Sequence, residues 1–106
     1  MKVLMSDDLG ELYLTGKNKT YSEVGKNREL YSGFVRAVNT MMAADNVEQL
    51  KGFSYLHYEQ LRYQYSGISS VRLSNRYVHR LLFTELEEGL RVDLIEIDKT
   101  HYGNKK

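Results

Sequence analysis

The sequence of 106 residues contains no cysteine and no proline. The lack of cysteine excludes disulfides and thiolate zinc sites, and it is typical of a reducing compartment. Without proline or a glycine-rich linker, no stretch marks a domain boundary, and domains usually contain about 100 to 150 residues. We therefore expect a single domain over residues 1–106, with a frayed tail at residues 103–106.

Long hydrophobic runs are missing as well. The apolar start of the chain is followed at once by Ser6, Asp7 and Asp8, so neither a signal peptide nor a membrane span is expected. The sequence therefore predicts a cytoplasmic protein without a membrane partner.

Net charge is small, because 15 basic residues face 14 acidic ones. The distribution is uneven, since residues 51–80 contain five Lys or Arg and only Glu59 as an acid. Cations attract phosphates and tyrosine rings can stack on bases. A solvated sheet face with tyrosines packed beneath it explains the same composition equally well. The tyrosines of this segment are Tyr55, Tyr58, Tyr63, Tyr65 and Tyr77.

Helical signals dominate the first half of the chain. Ser6 is a good N-cap for a helix that ends near Gly16, and the polar residues 16–26 are interpreted as a loop. From Asn27 the apolar residues recur at helical spacing, and residues 47–51 add a short turn stopped by Gly52. The apolar face of the long helix is predicted to consist of Leu30, Tyr31, Phe34, Val35, Val38, Met41 and Met42.

After Gly52 the sequence alternates between apolar and polar residues, which favours strands. We predict strands at 69–74, 77–85 and 90–97, with a further short strand at 2–5. The period of two directs Arg72 away from the core, and apolar residues on both faces of the second of these strands are typical of a central strand. The fold class expected is α+β, with a twisted antiparallel sheet of about four strands and two to three N-terminal helices packed on one face.

No P-loop, metalloprotease or nucleophile-elbow motif is present. Cleavage of RNA needs a base for the ribose 2′-hydroxyl, an acid for the leaving oxygen and positive charge near phosphorus, with no metal. Imidazole, phenol and guanidinium groups that could meet these needs lie in three places: His57 with Arg62, Arg72 with Arg76 or Arg80, and His101 with Tyr102.

Each of these residues also has a structural explanation. His57 could be a core histidine, His79 a packed strand residue and Tyr102 a cover for the end of the sheet. A zinc site from His57, His79 and His101 is poorly supported by their spacing, so no metal or other cofactor is expected.

Three separate stretches read LHYEQLR at 56–62, GISSVRLS at 67–74 and LIEIDKTHY at 94–102. In order and spacing they resemble the signature stretches of HigB-like toxins in the RelE/ParE superfamily, over residues 28–102. The resemblance implies the RelE-like fold, an antiparallel sheet with helices on one face and a basic concave face on the other. It also implies a type II toxin that acts as a metal-independent mRNA interferase, an endoribonuclease that enters the ribosomal A site and cleaves translated mRNA by 2′-hydroxyl attack.

Roles follow for residues that match the family stretches. The resemblance implies phosphate binding by Arg62, transition-state stabilisation by Arg72, and proton transfer shared among His57, His101 and Tyr102.

The second active-site arginine is less clearly matched. An ungapped match places Tyr77 on the family tyrosine and Val78 on the arginine that follows it. Arg80 takes that role if the hairpin around Asn75 is longer by two residues, Arg76 is the other candidate for it, and both are expected to bind RNA phosphates.

Partners and alternatives also follow from the resemblance. It implies a cognate antitoxin, of the helix-turn-helix type, and contact with operator DNA only through the complex with that antitoxin. One alternative function is ParE-like inhibition of DNA gyrase without catalysis, and another is an inactive relative that binds its antitoxin.

Overall fold

The computed structural model describes residues 1–62 and 67–97. In chain order its elements are β1 (Lys2–Met5), α1 (Asp7–Thr15), α2 (Ser22–Lys26), α3 (Arg28–Ala43), α4 (Val47–Lys51), a 3₁₀ turn (Ser54–Leu56), β2 (Glu59–Gln60), β3 (Ile68–Arg72), β4 (His79–Leu86) and β5 (Gly89–Ile97). None of the helices in these two segments is long and apolar enough to cross a membrane.

Side-chain caps start the helices where the sequence predicted. Ser6 Oγ accepts a hydrogen bond from the backbone N–H of Leu9 (3.2 Å), and Asn27 Oδ1 accepts one from Leu30 (3.1 Å). Helix α1 ends at Gly16, whose φ of 74° lies in the left-handed region that favours glycine. The predictions of α1, α3 and the short turn α4 are therefore confirmed.

The loop predicted over residues 16–26 is wrong in its second half, where Ser22–Lys26 form α2. This helix has 5 residues, and Val24 is the buried one. A single apolar residue gives no helical period, so the local sequence could not indicate the helix.

Helix α3 buries one face against the sheet. The sequence predicted Met42 within that face, but in the structure Met42 is 42% exposed. A rotation of about 100° per residue places it beside the buried stripe, and small residues fill the stripe instead. The buried residues of α3 are Leu30, Gly33, Phe34, Ala37, Val38 and Met41.

The sheet has five strands in the order β1-β5-β4-β3-β2. The α+β class and the central position of β4 are confirmed, but the sheet is mixed, because β1 pairs with β5 in parallel. The prediction of about four antiparallel strands is corrected on both counts. Strand β2 contains only Glu59 and Gln60, which is too short for an alternating pattern, and the β1–β5 pairing joins opposite ends of the described chain.

Alternation along the strands separates two faces of the sheet. Val71, Leu81 and Ile95 belong to the core beneath the helices. Their neighbours Arg72 and Arg80 point to the opposite side, which we call the distal face. The prediction that Arg72 points away from the core is thereby confirmed.

Candidate active site

A row of three charged side chains crosses the distal face. Arg80 on β4 lies directly opposite Arg72 on β3 and directly opposite Glu96 on β5. Side chains of directly opposed residues in antiparallel strands lie on the same face, with Cβ atoms about 4.5 to 5.5 Å apart. The sheet therefore brings two guanidinium groups side by side with a carboxylate at the end of the row.

Arg80 is the most buried member of this row. It is 8% exposed, and its Nε and Nη2 atoms donate to Glu96 Oε2 at 3.2 and 2.6 Å. A buried cation needs such a partner, because desolvation strongly disfavours an isolated charge. The ion pair therefore allows a second arginine to lie beside Arg72 within the sheet.

Glu59 lies in the next row of the distal face. It pairs with Ser70 of β3, two residues before Arg72, and its side chain is exposed. Ser70 is buried and lies between Glu59 and the buried Leu82 of β4. In this row the side chains are buried at Ser70 and Leu82, and exposure rises outward to Glu59 on β2 and to Leu94 on β5.

The distal face also contains a second ion pair, at a β-bulge in β5. The register shifts between the pairs Leu82–Leu94 and Phe83–Val92, which leaves Asp93 as the extra residue. Asp93 Oδ1 accepts from Arg91 Nε at 2.8 Å, and its Oδ2 accepts from Thr84 Oγ1 at 2.8 Å.

Acidic side chains lie among the basic ones on the described part of the distal face. Arg80 pairs with Glu96 and Arg91 pairs with Asp93, while Glu59 adds a further negative charge. Within the described residues the distal face therefore carries both signs of charge. The count over residues 51–80 could not show this, because β5 supplies the acidic partners.

His57 lies at the end of the sheet, beside the turn between β3 and β4. It follows the 3₁₀ turn with a left-handed φ of 47°, which is unusual for a residue other than glycine. Its Nε2 is 2.8 Å from Asn75 Oδ1, and the side chain is exposed. The structural explanation of His57 as a core histidine is therefore wrong.

Arg76 and Arg62 lie outside the row. Arg76 Nη1 is 3.3 Å from Glu29 Oε1 of α3, so its side chain reaches the helix layer. Ser74 donates to the other oxygen of the same carboxylate, which fastens the β3–β4 turn to α3. Arg62 is exposed just after Leu61, whose N–H donates to the carbonyl of Ile68 at 2.9 Å.

The described tyrosines of the basic segment pack within the fold. Tyr58 contacts Ser69 Oγ (3.3 Å) and donates to Glu85 Oε2 (3.1 Å), and its ring lies 6.1 Å from that of Phe83. Burial is the main cause that raises the pKa of Tyr58. A raised pKa makes this phenol a structural donor rather than a base.

Tyr55 and Tyr77 are also structural. The Tyr55 hydroxyl lies 2.9 Å from Thr40 Oγ1. The Arg36 guanidinium carbon lies over the Tyr55 ring, 4.3 Å from the ring centroid. Tyr77 packs edge-on to His79 with ring centroids 6.2 Å apart. The packed-tyrosine explanation of the segment therefore holds for the three tyrosines that the structure describes.

His79 is a packed strand residue, as one sequence interpretation had it. It is 8% exposed, and its Nε2 is 2.9 Å from Glu23 Oε1 of α2. His57 and His79 thus contact different parts of the fold. Over residues 1–62 and 67–97, no three His, Asp or Glu side chains form a group that could hold a metal.

Four of the residues singled out above, His101, Tyr102, Tyr63 and Tyr65, lie outside the described residues, as does the tail predicted at 103–106. Glu59 and Glu96 were not singled out by sequence reasoning. Glu96 could have been found from the alternation in β5, which places it on the face opposite Ile95.

Comparison with known proteins identifies the fold. No family model and no curated protein sequence matches the chain. A chain of the YoeB-YefM complex from Staphylococcus aureus is similar in structure, with a TM-score of 0.57, 18% identity, and coverage of 91% of this chain and 94% of that one. The YoeB/ParE toxin from Agrobacterium tumefaciens is also similar, with a TM-score of 0.51, 14% identity, and coverage of 92% of this chain and 98% of that one. The chain therefore has the fold of these toxin structures, which confirms the expected RelE-like fold class.

Proposed function

We propose that the chain is the toxin of a type II toxin–antitoxin system and cleaves translated mRNA as a ribosome-dependent endoribonuclease. The observation that carries this proposal is the side-by-side placement of Arg72 and Arg80 on the distal face. Two guanidinium groups at one position suit a phosphate that gains negative charge in the transition state. The likeness to the YoeB/ParE toxin fold supports the same class of protein.

The reaction is an attack of the ribose 2′-oxygen on the adjacent phosphorus, with departure of the 5′-oxygen. The bond between O2′ and phosphorus forms, and the bond between phosphorus and O5′ breaks. The 2′-hydroxyl proton passes to a base, and the leaving O5′ takes a proton from an acid. The products are a 2′,3′-cyclic phosphate and a 5′-hydroxyl.

Glu59 is our candidate for the base. It is an exposed carboxylate one row from Arg72 on the distal face. Arg72 stabilises the transition state, Arg80 is the second active-site arginine, and Arg62 binds the phosphate backbone nearby. We assign the acid to His101 or Tyr102, with His57 as the alternative donor.

The partners are proposed from the resemblance and from the neighbours. One neighbour is a toxin–antitoxin complex, and we propose that this chain likewise binds a cognate antitoxin, of the helix-turn-helix type. Operator DNA is contacted only through that complex, and the ribosomal A site presents the mRNA. The HigB-like assignment stays a prediction from three sequence stretches, because the similar structures are YoeB proteins.

Induction of the chain in growing cells, with mapping of new 5′ ends in transcripts, tests the proposal. We expect growth arrest and codon-phased cuts in translated messages. Loss of one transition-state donor typically costs about 10²- to 10³-fold in rate. Arg72→Ala and Arg80→Ala should therefore both reduce cutting by about this factor, which leaves no detectable new ends in cells but a residual rate in kinetics of the purified protein, while Arg76→Ala, at the helix layer, should keep the cuts.

Arg28→Ala is the matched control, because Arg28 is an exposed arginine of α3 on the helix side of the sheet. Retention of cutting by Arg72→Ala would refute the assigned role of the arginine row. Growth arrest without any new 5′ ends would instead favour gyrase inhibition, and an absence of growth arrest would favour an inactive antitoxin-binding relative.

A further inference from the structure

We infer that Glu96 is a positioning residue, which holds the Arg80 guanidinium in place beside Arg72 for the cleavage reaction. This inference rests on the proposed function and adds to it a residue that is not itself expected to touch RNA. Glu96 lies at the β5 end of the row, with Arg80 between it and Arg72.

The ion pair between Arg80 and Glu96 fixes the position of the Arg80 guanidinium. Both Nε and Nη2 of Arg80 donate to the same carboxylate oxygen of Glu96, at 3.2 and 2.6 Å. The side chains of Arg80 and Glu96 are 10% and 25% exposed, so the pair is held in a largely desolvated place. Two donors on one rigid fork fix the plane of the guanidinium as well as its position.

The sheet register explains why a carboxylate is needed here. Arg72 and Arg80 are directly opposed, and like charges in that arrangement repel each other. A carboxylate on the far side of Arg80 attracts its guanidinium toward β5 and offsets the repulsion from Arg72. Without Glu96, we expect the Arg80 guanidinium to lose its fixed position and plane within the row.

Kinetics of purified variants on ribosomes with bound message test this role under single-turnover conditions. A misplacement of about 1 Å in a reactive site can cost 10²-fold. We expect Glu96→Ala to slow the cleavage step about 10- to 100-fold, with little change in the toxin concentration that gives half-maximal rate. Glu96→Gln keeps an acceptor oxygen for Arg80 and should be affected less.

A double-mutant cycle separates positioning from a general loss of stability. If Glu96 acts through Arg80, then Glu96→Gln should slow the wild-type protein but cause no further loss in the Arg80→Ala background. Asp93→Asn is the matched control, because it removes one carboxylate charge from the same face of β5 while leaving the row intact. Its cleavage rate should stay within about twofold of wild type.

The outcomes are distinct. Equal rates for wild type, Glu96→Ala and Glu96→Gln would overturn the positioning role while the proposed function stands. Equal slowing by Glu96→Gln in both backgrounds would also overturn it, since the effect would not pass through Arg80. If Glu96→Ala fails to fold, the cycle with Glu96→Gln decides. Absence of cleavage by the wild-type chain would refute the proposed function, and the positioning role with it.

Discussion

Gly33 lets helix α3 lie directly against the polypeptide backbone at the end of β3. A Cβ atom added at Gly33 would lie 1.8 Å from the carbonyl oxygen of Leu73 and 2.7 Å from its carbonyl carbon. Real Cβ contacts essentially never fall below 3.0 Å, so Gly33→Ala requires α3 and the backbone at Leu73 to separate by about 1 Å. Leu73 directly follows Arg72, so this contact also supports the arginine row.

Two effects of Gly33→Ala oppose each other. Alanine is favoured over glycine inside a helix by about 0.5–1 kcal/mol. Overpacking of a well-packed interior costs about 1–3 kcal/mol and sometimes more. Because the atoms in the way are backbone atoms that cannot rotate aside, we expect the overpacking to dominate, with a net loss of about 1–2 kcal/mol.

Urea denaturation should show this loss as a lower midpoint concentration. Thermal unfolding should show it as a fall in Tm of about 4–8 °C for each kcal/mol in a domain of this size. Gly10→Ala is the matched control, because Gly10 also lies inside a helix but has no atom within 4 Å of the added Cβ. It should gain about 0.5–1 kcal/mol. A Gly33→Ala protein as stable as wild type would refute the close packing of α3 on Leu73.

Three further predictions concern stability. Asn27→Ala removes the cap on α3 and should lower the free energy of unfolding by about 1 kcal/mol in urea titrations, so an unchanged midpoint would exclude the cap. Leu81→Ala, at a fully buried position, should lower the free energy of unfolding by about 2–5 kcal/mol. Leu14→Ala, at a side chain that is 79% exposed, should change it little. Similar losses for the two variants would contradict the core described above. Because the folded protein raises the pKa of Tyr58, this group contributes stability that is present below about pH 10 and lost as pH rises through the raised value. Tyr58→Phe should therefore reduce the loss of stability between about pH 8 and about pH 11, and an identical pH dependence would show that Tyr58 plays no part in it.

Local signals in the sequence were sufficient for most helices and strands. The caps Ser6 and Asn27 act within three residues of themselves, so they could be read without knowledge of the fold. Alternation likewise gave the outward direction of Arg72. The two-residue strand β2 and the short helix α2 contain too few residues to show any period.

Pairing between distant segments could not be predicted in the same way. The parallel alignment of β1 with β5 joins segments from opposite ends of the described chain, so a local sequence pattern does not indicate it. The ion pair between Arg80 and Glu96 could not be predicted for the same reason, because the two residues meet only when β5 pairs with β4. A count of charges along residues 51–80 therefore omits the carboxylates that β5 contributes to the described part of the distal face.

The chemistry of the cut ends tests the central claim most directly. Purified chain is mixed with ribosomes on a defined message, and the ends of both fragments are identified by mass spectrometry. Attack by the 2′-hydroxyl at the Arg72–Arg80 site should leave a 2′,3′-cyclic phosphate on the upstream fragment and a 5′-hydroxyl on the downstream fragment, and Arg72→Ala should yield neither. An intact message, a 5′-phosphate, or the same products from Arg72→Ala would contradict the account.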